Sequence, residues 1–218
     1  VIIEPRFNGP SDSGNGGYAA GTFAAAYPTG PGAAVEVTLR RPPPLGLSLR
    51  LDGDAVRDPD GTLVAELRTV PAFPDEAVPP VDPATAAAVA VNYPGFVEHP
   101  FPACYVCGPE RADGLRIFPG RLPDGRTAAP FGFPEGGAEV TVWAALDCPG
   151  GWAVLSPGRP YVLGRMAAVV ERLPAPGDEC VVTGVAVEAQ GRKALVRSSV
   201  YGPDGHRLGY ARATWIAV

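Results

Sequence analysis

The stretch Ser11-Asp-Ser-Gly-Asn-Gly-Gly-Tyr-Ala-Ala-Gly-Thr-Phe-Ala-Ala-Ala-Tyr27 reads as a helix with an open, polar start. Ser11, Asp12, Ser13 and Asn15 carry side-chain oxygens of the kind that cap helices. Gly16 and Gly17 follow in the first turn, and alanines with Tyr18, Phe23 and Tyr27 on one stripe form a buried body. Two residues without a Cβ at a helix start have two explanations. A ligand oxygen can approach the unpaired amides of the first turn, where the helix dipole favours negative charge. Equally, the helix can lie close against a sheet and need small residues for the contact.

Downstream of this helix, Ala34 to Arg41 and Leu45 to Leu51 have strand composition, with Leu47, Leu49 and Leu51 alternating against Ser48 and Arg50. Asp58-Pro-Asp-Gly61 makes a tight turn into a further strand, Thr62 to Val70. From Pro71 to Pro102 the composition shifts to proline, alanine and acidic residues, with one short helix expected at Pro83 to Val91. That segment is the linker candidate. It sets a first unit over 1–95, with the linker from about 71, and a second over 96–218.

The second unit opens at Cys104-Tyr-Val-Cys-Gly and passes through Gly114 to Phe118. Glu139 to Ala145 alternates as a strand does, and Leu146-Asp-Cys-Pro-Gly-Gly-Trp-Ala-Val-Leu155 then reads as a second helix start. After an approach around Ser156 to Tyr161, four strands are expected at Leu163 to Leu173, Glu179 to Glu188, Lys193 to Tyr201 and Leu208 to Val218. Gly16-Gly17-Tyr18 answers to Gly150-Gly151-Trp152, and Asp58-Pro-Asp-Gly61 to Gly202-Pro-Asp-Gly205, in the same order. The pairing points to an internal repeat.

Composition narrows the classes. A chain of 218 residues is long enough for a sizeable core. The net charge of -5 is spread without runs, which gives no basic stripe for nucleic acid and no patch for an anionic membrane. No segment has the roughly 20 apolar residues of a membrane span, and Val1 to Gly9 lacks the features of a signal peptide, so a cytoplasmic protein is expected. Four cysteines, Cys104, Cys107, Cys148 and Cys180, are too few and too scattered for a secreted disulfide framework.

A long central helix followed by antiparallel strands, present twice, resembles the α+β double hot-dog architecture of the acyl-CoA thioesterase superfamily. Cys104-Tyr-Val-Cys-Gly-Pro with Gly114-Leu115-Arg116-Ile117 is similar to the Cys-x-x-Cys-Gly…Gly-Leu opening of many hot-dog thioesterase-like proteins. Asp204-Gly205 through Ala211-Arg-Ala-Thr-Trp-Ile216 resembles their last hairpin. The resemblance implies hydrolysis of an acyl-CoA or acyl-carrier thioester in a tunnel. Amides at a helix start would hold the carbonyl oxygen, and an acidic residue would activate water. Carried onto this chain, the oxyanion and substrate-binding positions are Gly16, Gly17, Tyr18, Gly150 and Gly151, and Asn15 stands where several relatives carry histidine or asparagine.

The departure from the pattern lies in the acid. Tyr18 to Tyr27 and Trp152 to Leu155 contain no Asp or Glu, so the helix-borne acid of one major thioesterase type is expected to be missing. Asp12 and Asp147, each just before a glycine pair, are left as catalytic candidates, with helix capping as their structural alternative. Thr22 can orient water or simply pack.

Arg165, Arg192 and Lys193 are candidates for the phosphates of coenzyme A, or solvated strand residues. His99, Cys104, Cys107 and Cys148 have the donor types of a zinc site, against a default of buried free thiols. The expectation is therefore no metal and no cofactor beyond the coenzyme A of the substrate. No serine stands in a Gly-x-Ser-x-Gly elbow. The rival functions are a non-catalytic acyl-CoA or acyl-thioester binding protein and an assembly protein, and edge-to-edge pairing of such sheets leaves room for a homodimer.

Overall fold

Asn15 starts the first helix as the stretch demands: its side-chain oxygen accepts the Tyr18 N–H at 2.9 Å, and α1 runs from Gly16 to Ala25. Ala19, Ala20 and Phe23 are fully buried along it, and burial of a phenylalanine contributes about 1.5–3 kcal/mol. In the computed structural model of the chain, residues 1–156 and 158–218 are described, Asp75 by its backbone alone.

Strands β1 (Ala33–Leu39), β2 (Arg50–Asp52), β3 (Ala55–Arg57) and β4 (Leu63–Pro71) follow α1. Next come α2 (Pro83–Ala90), β5 (Gly120–Arg121) and β6 (Thr127–Gly132). The third helix, α3 (Glu139–Trp152), leads into β7 (Tyr161–Val170), β8 (Glu179–Gln190), β9 (Lys193–Tyr201) and β10 (Arg207–Ala217). Among the described residues the strands form one antiparallel sheet, ordered β2-β3-β4-β1-β7-β10-β9-β8-β6-β5. A helix followed by four strands thus occurs twice. The order β1-β4-β3-β2 on one side of the β1–β7 seam mirrors β7-β10-β9-β8 on the other.

Three sequence expectations are corrected. Glu139 to Ala145 is the first half of α3 and not a strand; every residue from Thr141 to Trp152 is buried, so no polar face marks the helical period. Gly150 and Gly151 lie in the last turn of that helix and not at its start. Pro149, which has no N–H to give to an i−4 carbonyl, stands inside this helix. It sits near the C-terminus of α3, where its carbonyl accepts the Thr127 hydroxyl at 2.7 Å. The third correction concerns Leu45 to Leu51, which is mostly loop: Leu47 is exposed, Leu49 is buried, and only Arg50–Asp52 forms a strand.

The two turns paired in the sequence hold corresponding places. Asp58 N–H donates to Thr62 O in the β3–β4 hairpin, and Gly202 N–H to His206 O in the β9–β10 hairpin. The glycine doublets do not correspond, since one opens α1 and the other closes α3. The segment expected as a linker lies along the sheet, with Val78 N–H donating to Ser199 Oγ and the Tyr201 hydroxyl donating to Val78 O. α2, found where Pro83 to Val91 predicted it, is capped by Asp82 through the Thr85 N–H and packs Ala86 with Leu122, Ala128 and Val181. The approach around Ser156 to Tyr161 includes Pro157, which lies outside the described residues.

Both long helices lie in the main core. They meet where α1 has no side chains: a Cβ on Gly17 would stand 2.5 Å from Asp147 Cβ and 2.7 Å from Trp143 O. One on Gly21 would stand 2.7 Å from Trp143 Cβ. Trp143 and Asp147, one turn apart on α3, therefore lock against the glycines one turn apart on α1.

Candidate active site at the crossing of α1 and α3

Asp147 is the ninth residue of α3 and is 2% exposed. Its Oδ2 accepts two hydrogen bonds from the start of α1, from Gly17 N–H at 3.0 Å and from Asn15 Nδ2 at 3.0 Å. Its Oδ1 is buried and has no partner among the described residues. Burial pushes the carboxyl up to about 7; the charge on Cys104 adds to the rise, and the bonds from Gly17 and Asn15 oppose it. A buried carboxylate with one bare oxygen is costly unless something meets that oxygen.

Asp147 lines a cavity of about 320 Å³, within the size range of small-molecule sites. Asn15, Gly16, Cys104, Cys107 and Cys148 share the polar wall with it, and Phe101, Trp152, Leu155, Tyr161, Leu163 and Trp215 supply apolar surface. Arg40 and Arg41, both exposed, stand at the rim. The Gly16 N–H meets no acceptor among the described residues, and Gly16 packs so closely on β7 that a Cβ would fall 2.7 Å from Leu163 Cβ. Gly16, at the start of α1, and the buried Asp147 thus line one cavity.

The sequence candidates divide accordingly. Asn15, Gly16, Gly17 and Asp147 come together, although the Gly17 N–H is already held by Asp147, which leaves Gly16 as the amide of the pair without a protein acceptor. Asp147, read from sequence as standing just before a glycine pair at a helix start, lies within a helix, because α3 begins eight residues before it. Asp12 is exposed in a turn and does not line the cavity. Tyr18 points elsewhere, stacked on Phe7 with ring centroids 3.9 Å apart, and the Thr22 hydroxyl donates to Tyr18 O.

Gly150 and Gly151 offer no helix-start amides. A Cβ on Gly150 would meet Val196 at 2.6 Å and one on Gly151 the Trp215 ring at 2.5 Å, so this doublet serves close helix–sheet packing. Arg165 pairs with Glu36 and donates to Thr38 outside the cavity, and Arg192 donates to Ala217 O at the β8–β9 hairpin. Lys193 is exposed at the start of β9. Arg40 and Arg41 were not singled out in the sequence; adjacent arginines just past β1 carry no motif that marks a rim.

Cys104, Cys107 and Cys148 place their sulfurs within 4.8 Å of one another, and all three are buried and free. His99 stands beside them with Nε2 3.4 Å from Cys107 Sγ, while its Nδ1 accepts the Phe101 N–H at 2.9 Å. Cys180 lies away from this group, on β8 opposite Phe131.

No protein-family model and no curated protein matches the sequence. Solved structures do. A conserved protein of unknown function with a hot-dog fold from Alicyclobacillus acidocaldarius aligns over 99% of this chain and 91% of its own, with a TM-score of 0.61 at 13% identity. Shorter alignments link the chain to a hypothetical thioesterase with coenzyme A from Streptococcus pneumoniae (TM-score 0.42, 13% identity, 46% of this chain and 84% of that one). The E. coli PaaI protein aligns over 61% of this chain and 96% of its own, with a TM-score of 0.47 at 10% identity. The chain has a hot-dog fold. No helix among the described residues is long and apolar enough to cross a membrane.

Proposed function

We propose that this chain hydrolyses an acyl thioester, with Asp147 as the base that activates water and the Gly16 N–H as the donor to the thioester carbonyl. The observation that carries the reading is a buried carboxyl with one partnerless oxygen, on a residue that lines the same cavity as Gly16. In the reaction, Asp147 takes a proton from water as the oxygen attacks the carbonyl carbon. Charge developing on the carbonyl oxygen is met by Gly16 at the positive end of α1. The C–S bond then breaks, and the thiolate leaves with a proton, giving a carboxylic acid and a free thiol. Asn15 and Gly17 act as positioning groups, since both hold Asp147 Oδ2.

Coenzyme A is the thiol best suited to the rim, where Arg40 and Arg41 offer guanidinium groups to phosphate. The site works inside the cell, on a small molecule, with no nucleic acid and no membrane as partner. Thiol release from a panel of acyl-CoA and acyl-pantetheine substrates tests the reading. Asp147→Asn should lower kcat by about 10²–10⁴-fold and leave coenzyme A binding in place, and Asp12→Asn should change neither. If the unsubstituted protein binds acyl-CoA but releases no thiol from any substrate, hydrolysis is wrong and the chain is an acyl-thioester binder.

A further inference from the structure

The three sulfurs beside Asp147 are not used by the hydrolysis just described, and their surroundings are unusual for thiols. Asn15 Nδ2 approaches Cys104 Sγ at 3.8 Å. His99 Nε2 lies 3.4 Å from Cys107 Sγ. An amide and an imidazole nitrogen thus form a polar shell around two of the three sulfurs.

His99 belongs to that shell and not among metal ligands. Its Nδ1 accepts the Phe101 N–H, and its Nε2 lies 3.2 Å from Cys107 O, which can only accept. The ring therefore carries its proton on Nε2 and shares it between the carbonyl and the sulfur of Cys107. A metal on Nε2 would leave the ring without any proton.

The loop that presents two of the sulfurs is tight. Gly108 N–H donates to Cys104 O at 2.9 Å, and a Cβ on Gly108 would stand 2.4 Å from Pro102 O and 2.5 Å from Cys104 N. Cys148 comes from the opposite side, on α3. Among the described residues no arginine or lysine forms an ion pair with Asp147, and the side-chain nitrogens hydrogen-bonded to the cluster's sulfurs are those of Asn15 and His99. Buried thiolates without a cation are costly, and a divalent soft ion would remove that cost. Tetrahedral thiolates around zinc lie about 3.8 Å apart, which the spacing of these sulfurs accommodates.

We infer that Cys104, Cys107 and Cys148 hold a zinc ion as three thiolates, with the fourth ligand supplied from the cavity that all three residues line. A water or the sulfur of a bound thiol would fill that position, and His99 and Asn15 act as outer-sphere donors that orient the sulfurs. A disulfide between Cys104 and Cys107 would use two sulfurs and leave Cys148 and the donor shell without a role.

The test reads metal and not turnover, so it can fail while the hydrolase reading stands, and the reverse. The full-length reduced protein is loaded with Zn²⁺, dialysed against metal-free buffer and assayed for bound zinc; a parallel sample takes Co²⁺ as a spectroscopic probe. About one metal per chain is expected, with the sulfur-to-cobalt charge-transfer absorption of a tetrahedral thiolate site. Cys148→Ser should lose the metal and Cys180→Ser should keep it. His99→Gln should weaken Zn²⁺ binding about 10–100-fold in chelator competition while the cobalt spectrum keeps its shape. Reduced wild-type protein that retains no zinc and shows no thiolate–cobalt absorption would overturn the site without recourse to any variant. So would Cys148→Ser with undiminished zinc, or a Cys104–Cys107 disulfide in protein isolated without reductant.

Discussion

Gly17 N–H donates to Asp147 Oδ2 at 3.0 Å, tying the first turn of α1 to the middle of α3. Stability and activity should therefore respond differently to substitutions at Asp147. Asp147→Ala leaves the buried Gly17 and Asn15 donors without an acceptor and should cost about 1–3 kcal/mol for each. Asp147→Asn keeps an oxygen there and removes a buried charge, so its urea midpoint should equal or exceed that of the unsubstituted protein. Urea unfolding of the two variants reads the difference directly.

The helix crossing makes Gly17 intolerant of even one methyl group. A Cβ there meets Asp147 Cβ and the Trp143 backbone carbonyl, and backbone cannot swing aside. Gly17→Ala should destabilise by about 1–3 kcal/mol. Gly132→Ala, on an exposed strand end where the nearest contact is a Glu179 oxygen at 3.6 Å, should stay within about 0.5 kcal/mol. Thermal melts of the pair give the comparison.

Asn15 performs two tasks with one amide, accepting from Tyr18 N–H through its oxygen and donating to Asp147 through its nitrogen. Asn15→Ala should lose about 1 kcal/mol for the cap and a further 1.5–3 kcal/mol, roughly, for the bond to the carboxylate. Asn15→Ser restores an acceptor for the cap but not the reach to Asp147. Its denaturation midpoint should fall between the other two, while its turnover should resemble that of Asn15→Ala.

At the rim, Arg40 pairs with Glu66, and Arg41 donates to Asp58 at 3.0 Å. Replacing both arginines with alanine should raise KM for acyl-CoA while kcat changes little. The same double substitution should leave KM for acyl-pantetheine, which lacks the nucleotide phosphates, unchanged. Steady-state kinetics on the two substrates separates phosphate binding from damage to the cavity.

The first helix was legible because every local signal agreed: an asparagine cap, small residues in the first turn and an apolar body. The strands after Arg159 were legible for the same reason, with alternation bounded by glycine turns. The second helix was misread because it is buried on all sides from Thr141 to Trp152, so Val142 and its neighbours gave no 3.6-residue period. That misreading turned a packing doublet, Gly150-Gly151, into a supposed amide site. It also hid the fact that Asp147 rides on a helix. The strands β5 and β6 were missed because β5 has only two residues and β6 contains Pro130 in a short apolar run. Asp147 and the cysteines could be named from sequence, but their meeting depends on the crossing of two helices more than a hundred residues apart.

The mirror order of strands about the β1–β7 seam has an outcome for stoichiometry. Where Asp147 of α3 faces the glycines that open α1, the reciprocal neighbourhood sets the early part of α3 at Val140 against Gly21, and α1 has no carboxylate to offer it. The two halves look alike in topology and differ in chemistry. If Asp147 is the base as proposed, each chain carries one centre, and an acyl-CoA analogue titrated against the protein should saturate at one equivalent per chain.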